Sequence, residues 1–318
     1  MTCSLAVAAC GSNAPTTQAQ NESPDADSVI PTVSDDAAWL QELRAFRAAR
    51  EQALRSPDSW FGLVGLHWLA EGKQRLGSGE QAQIRLAVGP AELGMITPEP
   101  DALQALLSLA EGAQVWLDGE PVLPGPLRLQ SDKAEQPSRL EFEGGSLSLI
   151  ERGGRFALRV RSPDSPSLQA FTGLAWFEPA AEYRVEARFE PHPADQTIPI
   201  VNILGQIENT PNPGRVLFSL NGQPYSLEAL GDPDDALFLI FADRSNSRES
   251  YGGGRFLYTG PVQGDRVHLD FNRAINPPCA YTEFSTCPLP PPENRLPLPL
   301  RAGEARYFAG HAGSDAAS

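Results

Sequence analysis

LDFNRAINPPCAYTEFSTCPLPPPENRLPLPLRAGE, at residues 269–304, is the most specific stretch of this chain. It combines many prolines with two cysteines and three asparagines, and it follows a strand-like run. Proline fixes its own φ and keeps the preceding residue extended, so the chain here is stiff and poor in backbone hydrogen bonds. The pattern predicts a rigid loop. Such a loop suits two roles, positioning the polar groups of a binding site or clasping a sheet.

The composition of the whole chain favours many short strands. The length of 318 residues indicates about two domains, and an apolar fraction of 41% is enough to form a core. Glycine and proline are abundant, at 28 and 30 residues, which is typical of strands joined by turns. We predict a mostly β fold. It has an N-terminal helix, a small β-sandwich-like module, and then a larger antiparallel β-sheet or barrel domain.

The charge and the missing motifs exclude several functions. The net charge of −15 repels phosphate backbones, so we expect no nucleic-acid partner. The sequence has no P-loop, no Gly-x-Ser-x-Gly elbow and no His-Glu-x-x-His motif. Its four histidines are far apart in the chain. We therefore predict neither a cofactor nor a metal site, and we expect a small molecule as the partner.

The N-terminus resembles the signal of a lipoprotein. Residues 1–10 read MTCSLAVAAC, in which Val7 to Cys10 fit a lipobox, and residues 11–33 form a polar, flexible linker. We expect lipidation of Cys10 and a lipid-anchored, periplasm-facing protein of the cell envelope, at the outer membrane. Contact with the membrane would be through the anchor alone. The apolar region is short and no Lys or Arg precedes it, so the alternatives are a start further upstream or a chance match.

The rest of the chain divides into four predicted segments. Residues 34–57 are helical, because apolar residues recur at near-helical spacing from Trp39 to Leu54, and this helix is expected to pack across a sheet. The small module takes residues 58–145, the larger domain with the candidate site takes 146–310, and 311–318 form a tail. Asn221-Gly222 predicts a hairpin in the larger domain, whereas the apolar run 102–110 fits a helix or a strand.

The first functional hypothesis is binding of a small anionic ligand by the larger domain. Arg155, Arg159 and Arg161 alternate with apolar residues, so they share one strand face, which is either a solvated face or an anion-binding one. Polar residues at strand ends and in the rigid loop complete the candidate site, with turn capping as their simpler role. The predicted ligand-binding residues are Arg155, Asp243, Arg255, Asn272, Asn276, Asn294 and Arg295.

Two other functions remain as alternatives. The first is a hydrolase of unknown class, with Asp270 or Glu304 as the general base in the same pocket. The second is a structural protein of the cell envelope with no small-molecule site. A single concave pocket that gathers the named side chains favours the first two functions, and side chains dispersed over the surface favour the third.

Cys279 and Cys287 enclose a short loop inside the 269–304 stretch. In an exported protein the leading interpretation of such a pair is a disulfide. A redox-active dithiol and a metal site are the alternatives, and the spacing is not that of a Cys-x-x-Cys motif.

The stretch DFNRAINPPCAYTEFSTCPLPPPENRL resembles the signature of the bacterial domain-of-unknown-function family 1684. Other pieces agree with it in order, namely WFGLVGLHWLAEGKQRLGS, IERGGRFALRVRSPDSP, FTGLAWF and FADRSNSRESYGGGRFLY. The resemblance extends over residues 38–308. The family has no assigned activity, so the resemblance implies no reaction and no catalytic residue.

Overall fold

A computed structural model describes residues 33–122 and 125–308 of the chain, without the side chains of residues 33–35. The signal remnant 1–10 with Cys10, nearly all of the linker 11–33, and the tail 311–318 lie outside these residues. The described part is mostly β, as predicted, with one long N-terminal helix and several sheets. The helices are α1 (Val33–Leu54) and the short α2 (Pro166–Gln169). The strands are β1 (Leu63–Trp68), β2 (Gln74–Gly77), β3 (Ile84–Arg85), β4 (Gly94–Glu99), β5 (Gln104–Leu109), β6 (Val115–Leu117), β7 (Glu120–Pro121), β8 (Pro126–Gln130), β9 (Arg139–Phe142), β10 (Gly145–Arg152), β11 (Arg155–Arg161), β12 (Arg184–Pro191), β13 (Thr197–Val201), β14 (Ile207–Pro211), β15 (Gly214–Leu220), β16 (Gln223–Asp232), β17 (Ala236–Phe241), β18 (Arg255–Tyr258) and β19 (Arg266–Asp270).

Helix α1 forms where the apolar spacing predicted a helix. Trp39 and Leu43 are one turn apart and both buried, as is Leu54 at the C-terminal end. The exposed side of the helix is mostly alanine, with Glu42 and Arg44 as its charged residues. No helix in the described ranges combines the length and the apolar character needed to span a membrane.

The first half of the chain forms two facing sheets. The first sheet has six strands in the order β1-β11-β10-β9-β6-β7, and a five-stranded sheet has the order β3-β2-β4-β5-β8. Their facing sides enclose one apolar core, to which Leu107 contributes from β5 and Leu149 and Leu158 from β10 and β11. The apolar run 102–110, which fitted a helix or a strand, contains strand β5. Ala105 and Leu107, two positions apart, are both buried in this core, and Leu106 between them is less buried.

Strands β10 and β11 belong to this first sheet. They pair with each other, and β11 pairs with β1 while β10 pairs with β9. The sequence analysis assigned residues 146–310 to the larger domain. The 145–161 hairpin pairs with β1 and β9, which come from residues 58–145, and alternation along a strand does not specify which neighbour it joins. The division into domains stays a prediction.

The second half of the chain forms a second six-stranded sheet with antiparallel neighbours in the order β18-β17-β16-β15-β12-β19. The predicted hairpin is confirmed as β15–β16. Its turn residues Asn221 and Gly222 have φ values of 53° and 73°, as the tight hairpin turn requires. One face of this sheet packs a second large core, which includes Val216, Leu239 and Leu269. A separate two-stranded sheet, β13–β14, lies beside it.

The proline-rich stretch 269–304 clasps the second sheet. Its end enters the second core through Leu296, Leu300 and Ala302. Asn294 attaches it to two strands, because its amide bonds the backbone of Glu228 on β16 and of Ile240 on β17 at 2.6–2.9 Å.

Candidate functional site

A cavity of about 410 Å³ lies between the first and second sheets, and we call it the inter-sheet cavity. Strands β10 and β11 form one wall and strands β17 and β18 form the opposite wall. Helix α1 and the loop around Cys287 close the sides. The lining residues that matter below are three arginines, a group of aromatic rings, and polar groups of the loop: Arg50, Arg152, Arg159, Trp60, Phe238, Phe256, Tyr258, Asn276 and Thr286.

Strand alternation explains why arginines face this cavity. Along β11, Leu158 and Val160 point into the first core, so Arg159 points to the other face of the sheet. On the neighbouring strand β10, Ser148 lies opposite Arg159 and Arg152 lies opposite Arg155. Residues opposite each other in an antiparallel pair share a face. Arg152 and Arg159 therefore stand on the face that the second half of the chain covers.

Arg159 is a buried cation without a counter-ion. Its side chain is only 7% exposed, and the guanidinium lies 5.2 Å from the centroid of the Trp60 ring. Among residues 33–122 and 125–308 nothing accepts a hydrogen bond from it, and its Nε is fully buried. Burial, and then the nearby charges of Arg152 and Arg161, lower the pKa of Arg159 to about 10, against the weaker opposing effect of Asp132. Arg159 is thus the one cavity-lining arginine of the described residues that has no carboxylate partner of its own.

Arg152 is held by partners on both sides of the cavity. Its guanidinium forms an ion pair with Asp132 at 2.7 Å. Its Nε donates a hydrogen bond of 3.0 Å to Oγ1 of Thr286, which lies in the loop between the two cysteines. This bond connects the first sheet to the loop, so the position of Arg152 depends on both.

Arg50 reaches the cavity from helix α1 and neutralises a buried carboxylate. Its Nε donates to Glu304 at 3.0 Å, and the Glu304 side chain is fully buried. The other carboxylate oxygen accepts the backbone N–H of Asn276 at 2.8 Å and the hydroxyl of Tyr281. Burial lowers the pKa of Arg50, but Glu304 and Tyr281 outweigh it, so the net shift is upward. Burial and the charge of Glu304 raise the pKa of Tyr281 well above its ordinary value.

Asn276 is the predicted ligand-binding residue that lines the inter-sheet cavity. Its Nδ2 donates to the carbonyl of Ala305 at 2.8 Å. Its Oδ1 is buried, and no donor in the described part of the chain reaches it. A buried amide oxygen without a partner is costly, so Asn276 is a second incompletely satisfied polar group at the cavity wall, beside Arg159.

Arg255 and Asp243, both predicted as ligand-binding residues, are bonded to each other and to the chain itself. Both side chains are fully buried, and they form an ion pair of 2.6 Å. Arg255 also donates to the carbonyls of Leu300 and Ala302, and Asp243 accepts from the backbone N–H of Leu300. The ion pair thus fixes residues 300–302 of the proline-rich stretch to the end of β17. No atom of Arg255 is exposed to a ligand.

The other predicted ligand-binding residues also lie away from the inter-sheet cavity. Asn272 exchanges two hydrogen bonds of 2.9 Å with the backbone of Ala180, and Asn294 clasps β16 and β17 as described. Arg155 is exposed at the hairpin end, where it lies 4.7 Å from the Trp68 ring centroid. Arg295 is exposed and makes one long bond of 3.5 Å to the carbonyl of Pro290. These positions are capping, clasping or surface positions.

The two candidate catalytic carboxylates do not meet. Asp270 lines an adjoining cavity of about 910 Å³ beneath α1, which shares Arg50 and Tyr258 with the inter-sheet cavity. There it accepts from Nε1 of Trp39 at 2.8 Å and caps the turn at Asn272. Glu304 has both oxygens occupied by Arg50, Asn276 and Tyr281. Neither carboxylate has a free edge facing the inter-sheet cavity, which a general base needs.

Cys279 and Cys287 lie at disulfide distance, with their Cα atoms 6.1 Å apart. The pair closes the loop that contributes Thr286 and Cys287 to the cavity wall. Within the described ranges, no three Cys, His, Asp or Glu side chains are grouped as a metal site would require.

The sequence analysis missed Arg50, Arg152 and Trp60 as cavity residues, and it selected Arg155 rather than Arg159 from the alternating arginines. The signal for Arg159 was present in that alternation. What the pattern lacks is the information that Trp60 and the second sheet cover Arg159 and leave Arg155 at the surface. Arg50 had no signal, since its partner Glu304 is 254 positions away in the sequence.

Comparison with known proteins identifies relatives without a known function. Residues 169–305 match the model of a family described as protein of unknown function (DUF1684), which confirms the resemblance inferred from the sequence motifs. An uncharacterized protein of Haloarcula marismortui, solved by solution NMR, is 33% identical; the match covers 45% of this chain and 82% of that one, with a TM-score of 0.38. No curated protein matches the chain.

Proposed function

Since this chain belongs to the DUF1684 family, whose function is unknown, we propose from the site alone that it binds a small anionic ligand in the inter-sheet cavity. Arg159 is the principal contact. Arg152 and Arg50, each already paired with a carboxylate, line the same cavity and keep hydrogen-bond donors in its wall. The proposal keeps the ligand class that the sequence suggested and moves the contacts to a different set of arginines.

The observation that carries this proposal is the unpaired, buried guanidinium of Arg159. An isolated buried charge destabilises a fold, and proteins pair such charges or place them where a ligand pairs them. Arginine is suited to the second case, because its planar donors match the oxygens of a carboxylate or a phosphate. An anion bound here would satisfy the guanidinium and relieve the repulsion from Arg152 and Arg161.

The direct test is a calorimetric titration of the purified chain with inorganic phosphate. We expect measurable binding to the wild type and none to Arg159→Met. The matched control is Arg155→Met, which changes the same residue type on the same face of the same strand but outside the cavity. It should bind phosphate like the wild type. Binding that persists in Arg159→Met, or that is lost equally in both variants, would contradict the proposal.

We also propose that Cys10 carries a lipid anchor that attaches the protein to the periplasmic side of the cell envelope. The support is the lipobox-like sequence Val7 to Cys10 and the polar linker after it. In cells that express the chain, the protein should partition into the detergent phase and incorporate labelled fatty acid. Cys10→Ser should abolish both properties, and Cys3→Ser is the matched control that should leave them unchanged.

A further inference from the structure

The wall of the inter-sheet cavity that faces the arginines is aromatic. Along β17, Leu237 and Leu239 point into the second core, so Phe238 points to the opposite face. Phe256 and Tyr258 on β18 share that face, because Phe238 lies directly opposite Tyr258. Phe238 and Tyr258 are stacked, with centroids 4.7 Å apart and an angle of 11°, and Phe256 meets Phe238 edge-on at 5.0 Å.

Tyr258 presents an open aromatic surface. Its side chain is 54% exposed, although its neighbours Phe256 and Leu257 are buried. The stacked pair with Phe238 fixes the plane of the ring, and cross-strand pairing fixes its position. A rigid and accessible aromatic ring next to a cationic group is an arrangement onto which another planar ring stacks at low entropic cost.

The arginine side of the cavity has the complementary character. The guanidinium of Arg159 lies over Trp60, and Arg50 lines the cavity together with Tyr258. An inorganic anion would pair with the arginines and leave the aromatic wall without a partner. The volume of about 410 Å³ lies in the range of sites for organic ligands and is far larger than a single phosphate group.

We infer that the ligand of the inter-sheet cavity is an anionic group carried on an aromatic ring, with the anion at Arg159 and Arg152 and the ring against Tyr258. The inference rests on the proposed anion-binding function and specifies its ligand class. Carboxylate and phosphate share the chemistry that the guanidinium groups recognise, so the anion is an aryl carboxylate or an aryl phosphate.

The test is a titration of the full chain with four probes: inorganic phosphate, phenyl phosphate, cyclohexyl phosphate and benzoate. We expect phenyl phosphate to bind roughly tenfold more tightly than inorganic phosphate, since stacking of one ring typically contributes that much or more. Cyclohexyl phosphate has a similar size but no aromatic face and should show a smaller gain. Comparing benzoate with phenyl phosphate decides between the two anions.

Two variants of Tyr258 test whether the aromatic ring of the ligand lies against this residue. Tyr258→Ala should reduce the advantage of phenyl phosphate over inorganic phosphate to about twofold or less, while Tyr258→Phe should retain it. Affinity for inorganic phosphate should be the same in both variants. Because Tyr258 is largely exposed, the alanine variant is expected to fold.

The possible results distinguish failure of the aromatic-ligand inference from failure of the proposed anion-binding function. Equal affinities for inorganic and phenyl phosphate, or equal gains for the phenyl and cyclohexyl compounds, would overturn the aromatic-ligand inference and leave the anion site standing. A phenyl advantage that survives Tyr258→Ala would also overturn it. Failure of all four probes to bind would overturn the proposed function itself.

Discussion

Arg159 is the residue at which stability and function conflict. Its pKa is lowered to about 10, which means that the charged guanidinium is about 3 kcal/mol less favourable in the native state than in the unfolded chain. A lowered pKa of a basic group gives a destabilisation that is fully present below about pH 10, where the group is charged in both states. The destabilisation diminishes as the pH rises above about 10, where the native state loses the proton first.

We therefore predict that Arg159→Met stabilises the ligand-free protein. Methionine keeps much of the side-chain length and its contact with Trp60, and it removes an uncompensated charge. The free energy of unfolding at pH 7 should rise by about 1–3 kcal/mol. Urea denaturation checks this, with Arg155→Met as a control that should change it by less than about 0.5 kcal/mol. A destabilised Arg159→Met variant would show that the guanidinium stabilises the ligand-free fold, which would contradict its assignment as an unpaired ligand-binding group.

Tyr281 gives a second prediction, which concerns alkaline pH. Its hydroxyl donates to the buried Glu304, and burial followed by the charge of Glu304 raises its pKa well above 10. A group whose pKa is raised on folding contributes stability that is complete below its unfolded pKa and is lost as the pH rises above it. In the wild type this loss starts near pH 10 and amounts to about 1.4 kcal/mol per pH unit while the native state stays protonated.

Tyr281→Phe removes both the hydrogen bond and this dependence. Near pH 8 the variant should be less stable than the wild type by about 1–3 kcal/mol, because Glu304 loses a donor in a buried site. The difference should shrink above pH 10. Urea denaturation between pH 8 and 11 measures it, with Tyr225→Phe as a control in the second core. A difference between wild type and Tyr281→Phe that stays constant with pH would refute the assignment.

At the scale of elements, the loop closed by Cys279 and Cys287 holds one wall of the cavity. Thr286 in this loop accepts from Arg152, and the carbonyl of Cys287 accepts from the backbone N–H of Ile203 at 3.0 Å. Closing so short a loop contributes about 2.5 kcal/mol by the chain-entropy estimate. We predict that reduction lowers the thermal midpoint and weakens phosphate binding severalfold, because Arg152 loses its fixed partner.

The double variant Cys279→Ser/Cys287→Ser separates this effect from reduction of Cys3 and Cys10. It should bind phosphate as weakly as the reduced wild type and should not respond to dithiothreitol. Calorimetry with and without the reductant measures both. Equal affinities in the oxidised and reduced wild type would show that the loop holds its position without the covalent link.

Some features of the strands and loops could be predicted from the sequence, and others could not. Composition correctly predicted the β class, and Asn221-Gly222 correctly predicted the β15–β16 hairpin. Period-two alternation predicted the common face of the arginines on β11, and all three signals depend on composition or on residues close together in the chain. Asn294, Asp243 and Arg255 were chosen for their residue types at strand ends and in a stiff loop. The same residue types also bond a loop to a sheet. A binding role and a structural role are distinguished only by the hydrogen-bond partners, such as Glu228 and Leu300. Such partners lie 45–66 positions away in sequence.

At the scale of the whole molecule, the inter-sheet cavity lies where two independently formed cores meet. The first core is enclosed by the first sheet and its five-stranded partner, and the second lies on the far face of the second sheet. Between them are a small apolar cluster, which includes Ile240 and Phe256, and the cavity itself. The burial of two large cores needs no ligand. Their junction, by contrast, contains the unpaired groups of Arg159 and Asn276.

An anion in this cavity should therefore couple the two halves of the molecule. We predict that saturating phosphate slows amide hydrogen exchange on both sides of the cavity together, in peptides spanning 150–161 and 275–288. Exchange in the β4–β5 hairpin, which is remote from the cavity, should change little. A bound ligand slows exchange in every segment that must open to release the ligand. It does not change exchange in segments that open while the ligand stays bound. The same experiment with Arg159→Met should show no protection on either side. Protection confined to one side would mean that the anion contacts only one sheet, in which case the cavity would be a surface site of that sheet and not a junction between the two.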